Sequence, residues 1–401
     1  MPSKNKDFFD DFIHYAKKLY GEDNISLHRP IFEGNEKKYL TECIDSNFVS
    51  SVGKRVSDFE NAIAKFTGAK YAIATVNGTS ALHIAIKLSG CEFGDEVITQ
   101  SATFIATCNA ISYAGGKPVF VDVDENTLGM SPTSLKCFLE KNAHIKNGKA
   151  VNKKSGNIIK CCIPMHTFGF PCQIGEIKDI CEEWNINLIE DAAESLGSYV
   201  DSKHTGTFGK IGTLSFNGNK LITTGGGGMI ITDDEEISLR AKHITTTSKV
   251  PHEYEFVHDE IGYNYRMPNI NAALGCAQVE KLQDFIASKR DISIKWKTFF
   301  NNYDVDFVES VPPNRSNYWL NTILMESLEE RNEFLNYTNK NNVMTRPIWT
   351  LMSELEMYKE CQNDGLIQSK LLSERISLLK SPSVKSLYFE LILITTKPRE
   401  F

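Results

Sequence analysis

An acid, a hydroxyl, a lysine and a run of glycines fall within one stretch of this 401-residue chain. Asp191 ends the apolar run Ile186-Asn187-Leu188-Ile189-Glu190 and is followed by the small residues Ala192 and Ala193. A buried parallel strand delivers a carboxylate to the carboxyl edge of its sheet in this way, and open α/β sheets bind ligands at that edge. Ser215, Lys220 and Gly225 to Gly228 follow in one turn-rich segment. Together they form the set that pyridoxal 5'-phosphate (PLP) requires. The lysine forms a Schiff base, the acid faces the pyridinium nitrogen, and small or hydroxylated residues surround the phosphate. Taken singly, each residue has an ordinary explanation. An Asp at a strand end often caps the next helix, and one lysine among many is usually a solvated surface charge. The combination, not any member, carries the reading.

These residues need a framework of strands and helices. Residues 71–76 read as a buried strand that turns through Asn77-Gly78-Thr79-Ser80 into a helix from Ala81 to Leu88. Such a turn aims backbone N–H groups and hydroxyls at whatever lies above the helix N-terminus, which favours a phosphate. Further strands are expected at 95–99, 117–123, 158–164 and 229–232. Helices are expected at 57–66, 174–184 and 235–244, so the alternation predicts βαβ units and a largely parallel sheet. An amphipathic helix is predicted over 4–20, and one long helix from Ile270 through Phe285 to about Phe300. Beyond it, strands at 318–325 and 343–345 suggest a smaller α/β unit. Other phosphate-binding patterns are missing. Gly209-Lys210 is followed by Ile211 rather than Ser or Thr, and no G-x-G-x-x-G follows an early strand.

Composition narrows the function classes. Apolar residues make up 41% and charged residues 24%, as in an ordinary globular protein. The formal charge, 44 − 51 = −7, provides no footprint for nucleic acid or an anionic membrane surface. No signal peptide and no bilayer-length apolar stretch is visible, so a cytoplasmic protein is expected. Ten cysteines are scattered without a C-x-x-C pair, and the spacing of His166 from Cys161, Cys162 and Cys172 suits no zinc pattern. Buried reduced thiols are expected, and no metal.

Glu190-Asp191-Ala192-Ala193, Ser215-Phe216, Asn219-Lys220 and Thr223-Thr224-Gly225 resemble the core of the DegT/DnrJ/EryC1/StrS family of sugar aminotransferases. The resemblance runs from about His28 to Leu379. It implies fold type I, the aspartate aminotransferase-like α/β architecture, with a large mostly parallel sheet domain and a smaller C-terminal α/β domain. On that pattern the chain divides into an N-terminal extension (1–30), a large PLP-binding domain (31–250) and a small domain with a long linking helix (251–401). Lys220 would form the Schiff base and then move the proton of the 1,3-shift. Asp191 would pair with the ring nitrogen, Phe104 would stack on the ring, and Glu194 stands where the family usually has Gln or His near the ring hydroxyl. Ser215, Gly78, Thr79 and Ser80 would hold the phosphate. Asn264 matches an asparagine that reaches the phosphate from a neighbouring subunit, which implies a homodimer with shared active sites.

The same resemblance implies two substrates in turn. L-glutamate converts PLP to pyridoxamine 5'-phosphate, which then aminates a nucleotide-linked keto-sugar. Lysine at position 220 favours aminotransfer, since relatives that dehydrate sugars carry His there. The Gly225-Gly226-Gly227-Gly228 run, Ser50-Ser51-Val52-Gly53 and Thr345-Arg346-Pro347-Ile348-Trp349-Thr350 look like the subgroup from legionaminic-acid and related diamino-sugar pathways. That placement implies C4 amination of a 4-keto-6-deoxy, 2-acetamido sugar, with Arg266, Arg346 and Trp349 as sugar-nucleotide ligands. Arginine suits pyrophosphate because it bonds bidentately. Two other readings stay open: C3 amination of a dTDP-3-keto sugar, and a non-catalytic regulator that retains the fold. The C-terminal run from Tyr388 to Thr396 departs from the family pattern and has no assigned role.

Overall fold

The protein is described by a computed structural model covering residues 3–381, so the run from Tyr388 to Thr396 lies outside the described residues. The main sheet has seven strands: β1 (Tyr71–Thr75), β2 (Glu96–Gln100), β3 (Lys117–Val121), β4 (Ile159–Ile163), β5 (Asn187–Asp191), β6 (Ile211–Ser215) and β7 (Gly228–Thr232). Their spatial order is β1-β7-β6-β5-β4-β2-β3. From β3 to β6 all neighbours are parallel. β7 runs antiparallel to both β6 and β1, because the link from β6 carries no helix to cross over the sheet. That link carries Lys220.

Between these strands run α1 (Ser3–Tyr20), α2 (Glu36–Asp45), α3 (Lys54–Thr67), α4 (Gly78–Leu88), α5 (Ile105–Tyr113), α6 (Pro132–Asn142), α7 (Ile174–Glu183) and α8 (Glu235–Thr245). Helices cover both faces, so central strands are apolar on both sides. Ile73, Val97, Ile163, Ile189 and Ile230 pack beneath Ile84 of α4 and Ile244 of α8. Ile98, Val119, Cys162 and Leu188 face Leu135 of α6 and Ile177 of α7. Eight of the ten cysteines are buried and none is in a disulfide.

The C-terminal unit holds α9 (Asn269–Glu280), α10 (Leu282–Phe300), α11 (Leu328–Lys340) and α12 (Ile367–Arg375). Its sheet consists of β8 (Asp306–Phe307), β9 (Asn321–Leu324), β10 (Arg346–Pro347) and β11 (Ile376–Leu379). The order is β8-β9-β11-β10, antiparallel throughout. Phe8, Phe9 and Phe12 of α1 pack against Trp296 and Phe300 of α10 and Phe334 of α11. Phe12 stacks on Trp296 with ring centroids 5.1 Å apart. The N-terminal helix and the C-terminal unit therefore share one aromatic core.

Several elements differ from the sequence expectation. The long helix is broken at Lys281, where φ of −104° ends α9 and turns the chain into α10. Residues 343–345 are not a strand. Val343 makes an isolated bridge to Ile25, and the strand begins at Arg346. α4 starts at Gly78, three residues before the expected Ala81, because Asn77 caps it by accepting a hydrogen bond from the Ser80 N–H at 2.8 Å. The glycine run lies outside the wall of the cavity at the sheet's carboxyl edge. Gly225 turns the chain at φ 79°, and a Cβ on Gly228 would sit 2.4 Å from the Asn77 carbonyl, so glycine there lets the Asn77-Gly78 turn approach β7.

Two polar clamps join the units. The Asp122 carboxylate, just beyond β3, accepts the Gln368 and Ser369 N–H groups at 2.7 Å and the Ser369 hydroxyl at 2.6 Å, capping α12. The buried Asn317 amide donates to the Glu194 and Leu196 carbonyls, each at 2.9 Å. This second clamp sets Trp319 beside the end of β5.

Candidate active site

At the carboxyl edge of the main sheet lies a cavity of about 230 Å³. Its wall includes Gly78, Thr79, Phe104, Asp191, Glu194, Ser215, Lys220 and Trp349, eight residues that the sequence singles out. They come from five separate segments: Gly78-Thr79, Phe104, Asp191 to Glu194, Ser215 to Lys220, and Trp349.

Asp191 is the last residue of β5 and is buried. Burial raises its carboxyl above the ordinary carboxylate range. The Thr107 hydroxyl opposes this by donating to Oδ2 at 2.6 Å, and the Ala193 N–H donates to Oδ1 at 3.1 Å. Both bonds favour the ionised form, which a protonated ring nitrogen needs as its partner. Thr107 was not among the residues singled out. It occupies the first turn of α5 facing β5, a relation invisible in the linear order.

Lys220 lies in the β6–β7 link with its side chain 12% exposed. Its Nζ is 3.2 Å from Glu194 Oε1 and 4.2 Å from the centre of the Trp319 ring. Glu194 is buried, and its Oε2 accepts the Phe168 N–H at 2.9 Å. Burial lifts the Glu194 carboxyl to about 7, against the opposing pull of Lys220. The Trp319 indole N–H donates to the Asn219 carbonyl at 2.7 Å, so one tryptophan braces both the lysine's loop and its amine. Sequence reasoning missed Trp319. It reads as core within an apolar strand, and only the Asn317 clamp turns it to the cavity.

At the opposite end, Gly78 and Thr79 open α4 beside Ser215, the last residue of β6. The first N–H groups of a helix have no partner within it. A Cβ on Gly78 would lie 3.0 Å from the Ser215 Cβ, so glycine allows the helix start to sit against the serine. Ser80 does not line the cavity. Its N–H is taken by Asn77 and its side chain is buried. Phe104 projects over the cavity and meets Trp349 edge to face at 5.8 Å.

Asn264, Arg266 and Arg346 are not in this wall. Asn264 is exposed and accepts hydrogen bonds from the Arg266 guanidinium at 3.0 and 3.3 Å. Arg346 is exposed on β10 and donates to Asn339 at 3.3 Å.

The residues present fit PLP. A cavity open beside an amine, an acid with one oxygen held by a hydroxyl, a carboxyl beside the amine, and a helix N-terminus next to a serine match its carbonyl, ring nitrogen, ring hydroxyl and phosphate.

Comparison with known proteins agrees with this geometry. The sequence profile of the DegT/DnrJ/EryC1/StrS aminotransferase family matches residues 30–386. A GDP-perosamine synthase of Escherichia coli O157:H7 is 38% identical, over 90% of this chain and 94% of its own length. Another of that name from Vibrio cholerae is 34% identical, over 84% and 87%. A crystal structure of a DegT DnrJ EryC1 StrS aminotransferase from Brucella abortus superposes with a TM-score of 0.79 at 26% identity, covering 86% of this chain and 90% of that one. With the lysine, its acids and its phosphate cradle gathered on one sheet edge, and with relatives matching nearly end to end, the chain belongs to the DegT/DnrJ/EryC1/StrS aminotransferase family, as a PLP-dependent nucleotide-sugar aminotransferase.

Proposed function

We propose that this aminotransferase moves an amino group from L-glutamate to C4 of a nucleotide-linked 4-keto-6-deoxy sugar, one bearing a 2-acetamido group. The observation that carries the reading is the placement of Lys220 Nζ in a cavity shared with Asp191, Glu194 and the α4 N-terminus. The names of the two perosamine synthases point to a GDP-linked sugar, whereas Ser50 to Gly53, Gly225 to Gly228 and Thr345 to Thr350 favour the diamino-sugar subgroup.

Bound PLP supplies a carbonyl that takes up the donor's amino group and a ring that accepts electrons. The chain's own residues do the rest. Lys220 moves the proton between the donor carbon and the cofactor carbon, as general base and then acid. Asp191, whose ionised form the Thr107 hydroxyl favours against burial, would keep a proton on the ring nitrogen and so maintain the ring's pull on electrons. Glu194 would face the ring hydroxyl. The N-terminal N–H groups of α4, with Thr79 and Ser215, bind the phosphate. Phe104 and Trp349, in edge-to-face contact, would cover the ring and exclude water from one side.

The working unit in this reading is a homodimer. Asn264 and Arg266 follow a segment with Tyr254 75%, Phe256 80% and Ile261 86% exposed, an apolar surface suited to a second copy. The partner's Asn264 would reach the phosphate, and Arg266 and Arg346 would meet the sugar nucleotide. A cytoplasmic location is proposed on the ten cysteines, none of them in a disulfide.

The test is spectroscopic. Protein loaded with PLP should absorb near ~410 nm, and L-glutamate should move that band to ~330 nm. UDP-, GDP- and dTDP-linked 4-keto and 3-keto sugars are then offered in turn, and the one that restores the first band identifies nucleotide and position. Absence of the ~410 nm band with PLP in excess overturns the aminotransferase reading.

A further inference from the structure

We propose that Glu194 is a catalytic proton carrier for Lys220, sharing one proton across the contact between Oε1 and Nζ; this rests on the aminotransferase reading above. The contact is 3.2 Å in a nearly closed setting, with side chains 1% and 12% exposed. The other carboxyl oxygen, Oε2, is held by the Phe168 N–H at 2.9 Å, which leaves Oε1 to the lysine. The backbone carbonyl of the same residue is held by Asn317 at 2.9 Å, so the side chain starts from a fixed point. Trp319 closes the far side of the amine with its ring face, a surface that accepts a cation but no proton. Glu194 is the titratable group in direct ion-pair contact with Nζ.

A hydrogen-bonding neighbour of the ring hydroxyl needs no titration near neutrality, and Gln would serve. A carboxyl can do more. The charged and titratable groups bearing on Glu194 are Lys220 from the β6–β7 link and Asp191 from the end of β5; the loop after β4 contributes the Phe168 N–H, and Asn317 and Trp319 on the small unit are neutral. Burial outweighs the lysine and lifts the carboxyl to about 7, so that near neutrality it is present in both forms and can take up or give back a proton. The step balances without any further reactant. The proton leaving the donor's α-carbon is taken by the Lys220 amine. The ammonium passes it to Glu194 Oε1, the carboxylate becomes a carboxylic acid, and the amine is neutral again. Return of the proton runs the same path backwards.

The test compares wild type, Glu194→Gln and Lys220→Ala. In the holoenzyme, the single-turnover rate of the glutamate half-reaction should fall in wild type as pH drops below about 7, because a protonated Glu194 cannot relieve the amine. Glu194→Gln should be slower by roughly 100-fold and should lose that acid limb, while Glu194→His, which can carry a proton, should regain one. A second readout needs no turnover. Infrared spectra of apoprotein with 13C-labelled glutamate should show a protonated buried carboxyl disappearing as pH rises through about 7, absent in Glu194→Gln and persisting to higher pH in Lys220→Ala, which lacks the ammonium. An unchanged acid limb in Glu194→Gln, or the same infrared midpoint with and without Lys220, overturns the proposal. Failure of wild type to form the ~410 nm band would instead sink the aminotransferase reading, while the infrared comparison still judges the pair. If Glu194→Gln does not fold, wild type and Lys220→Ala decide the matter alone.

Discussion

The two walls of the cavity are built differently. The wall on the main sheet is polar and locked: Asp191 is held by Thr107 and Ala193, Glu194 by Phe168 and Asn317, and Gly78 lies against Ser215. The wall from the small unit and α5 is aromatic, with Trp319, Trp349 and Phe104, and brings no cation. The arginines that the sequence offers for a charged nucleotide lie on the surface, outside this wall. The difference teaches where one chain is self-sufficient. One chain brings the lysine, both carboxyls and the α4 N-terminus to the cavity wall and brings no arginine to it.

Breaking the polar wall should have the largest effect. Lys220→Ala should leave circular dichroism unchanged and abolish both the ~410 nm band and turnover, a loss of at least ~10³-fold. Asp191→Asn keeps the shape but offers the ring nitrogen no charge, and kcat should fall on the order of 10²- to 10³-fold with PLP still bound.

The comparison can be sharpened by mixing subunits. Asn264→Ala and Lys220→Ala should each be nearly inactive alone, yet a refolded mixture should recover roughly a quarter of wild-type sites, since a hybrid dimer keeps one site intact. No recovery would mean that Asn264 serves its own chain or none.

A smaller effect tests how the polar wall is tuned. Thr107→Val removes the donor that favours ionised Asp191, so its carboxyl should rise further. In the Glu194→Gln background, which lacks the limb near 7, activity should then fail on the acid side at a pH roughly one unit higher than with Thr107 present, the alkaline side unchanged. On the aromatic wall, Trp349→Ala should raise KM for the sugar nucleotide several-fold with little change in kcat, as expected where only apolar contact is lost.

Much of the polar wall was legible before any fold. Asp191 follows an apolar run, Ser215 and Lys220 stand close together, and Gly78-Thr79 follow a strand; each signal is local, and strand ends point such residues one way. Thr107 and Trp319 gave no such signal, because their role depends on contacts 84 and 100 residues away. The glycine run is a local signal for small space, and at Gly228 that space is taken by the Asn77 carbonyl.

By itself, the amino-acid order determined the alternation of strands and helices, the parallel sheet, and that Asp191, Ser215 and Gly78-Thr79 stand at strand ends or a helix start. These follow from periodicity and turn chemistry, which act over a few residues. Tertiary structure decided what distance alone can decide: that Glu194 lies 3.2 Å from Lys220 in a place dry enough to lift its carboxyl to about 7. It also decided that α1 joins the core of the C-terminal unit, and that the arginines stay outside the cavity. Burial and electrostatic coupling are properties of neighbours in space, and the order of residues along the chain does not contain them.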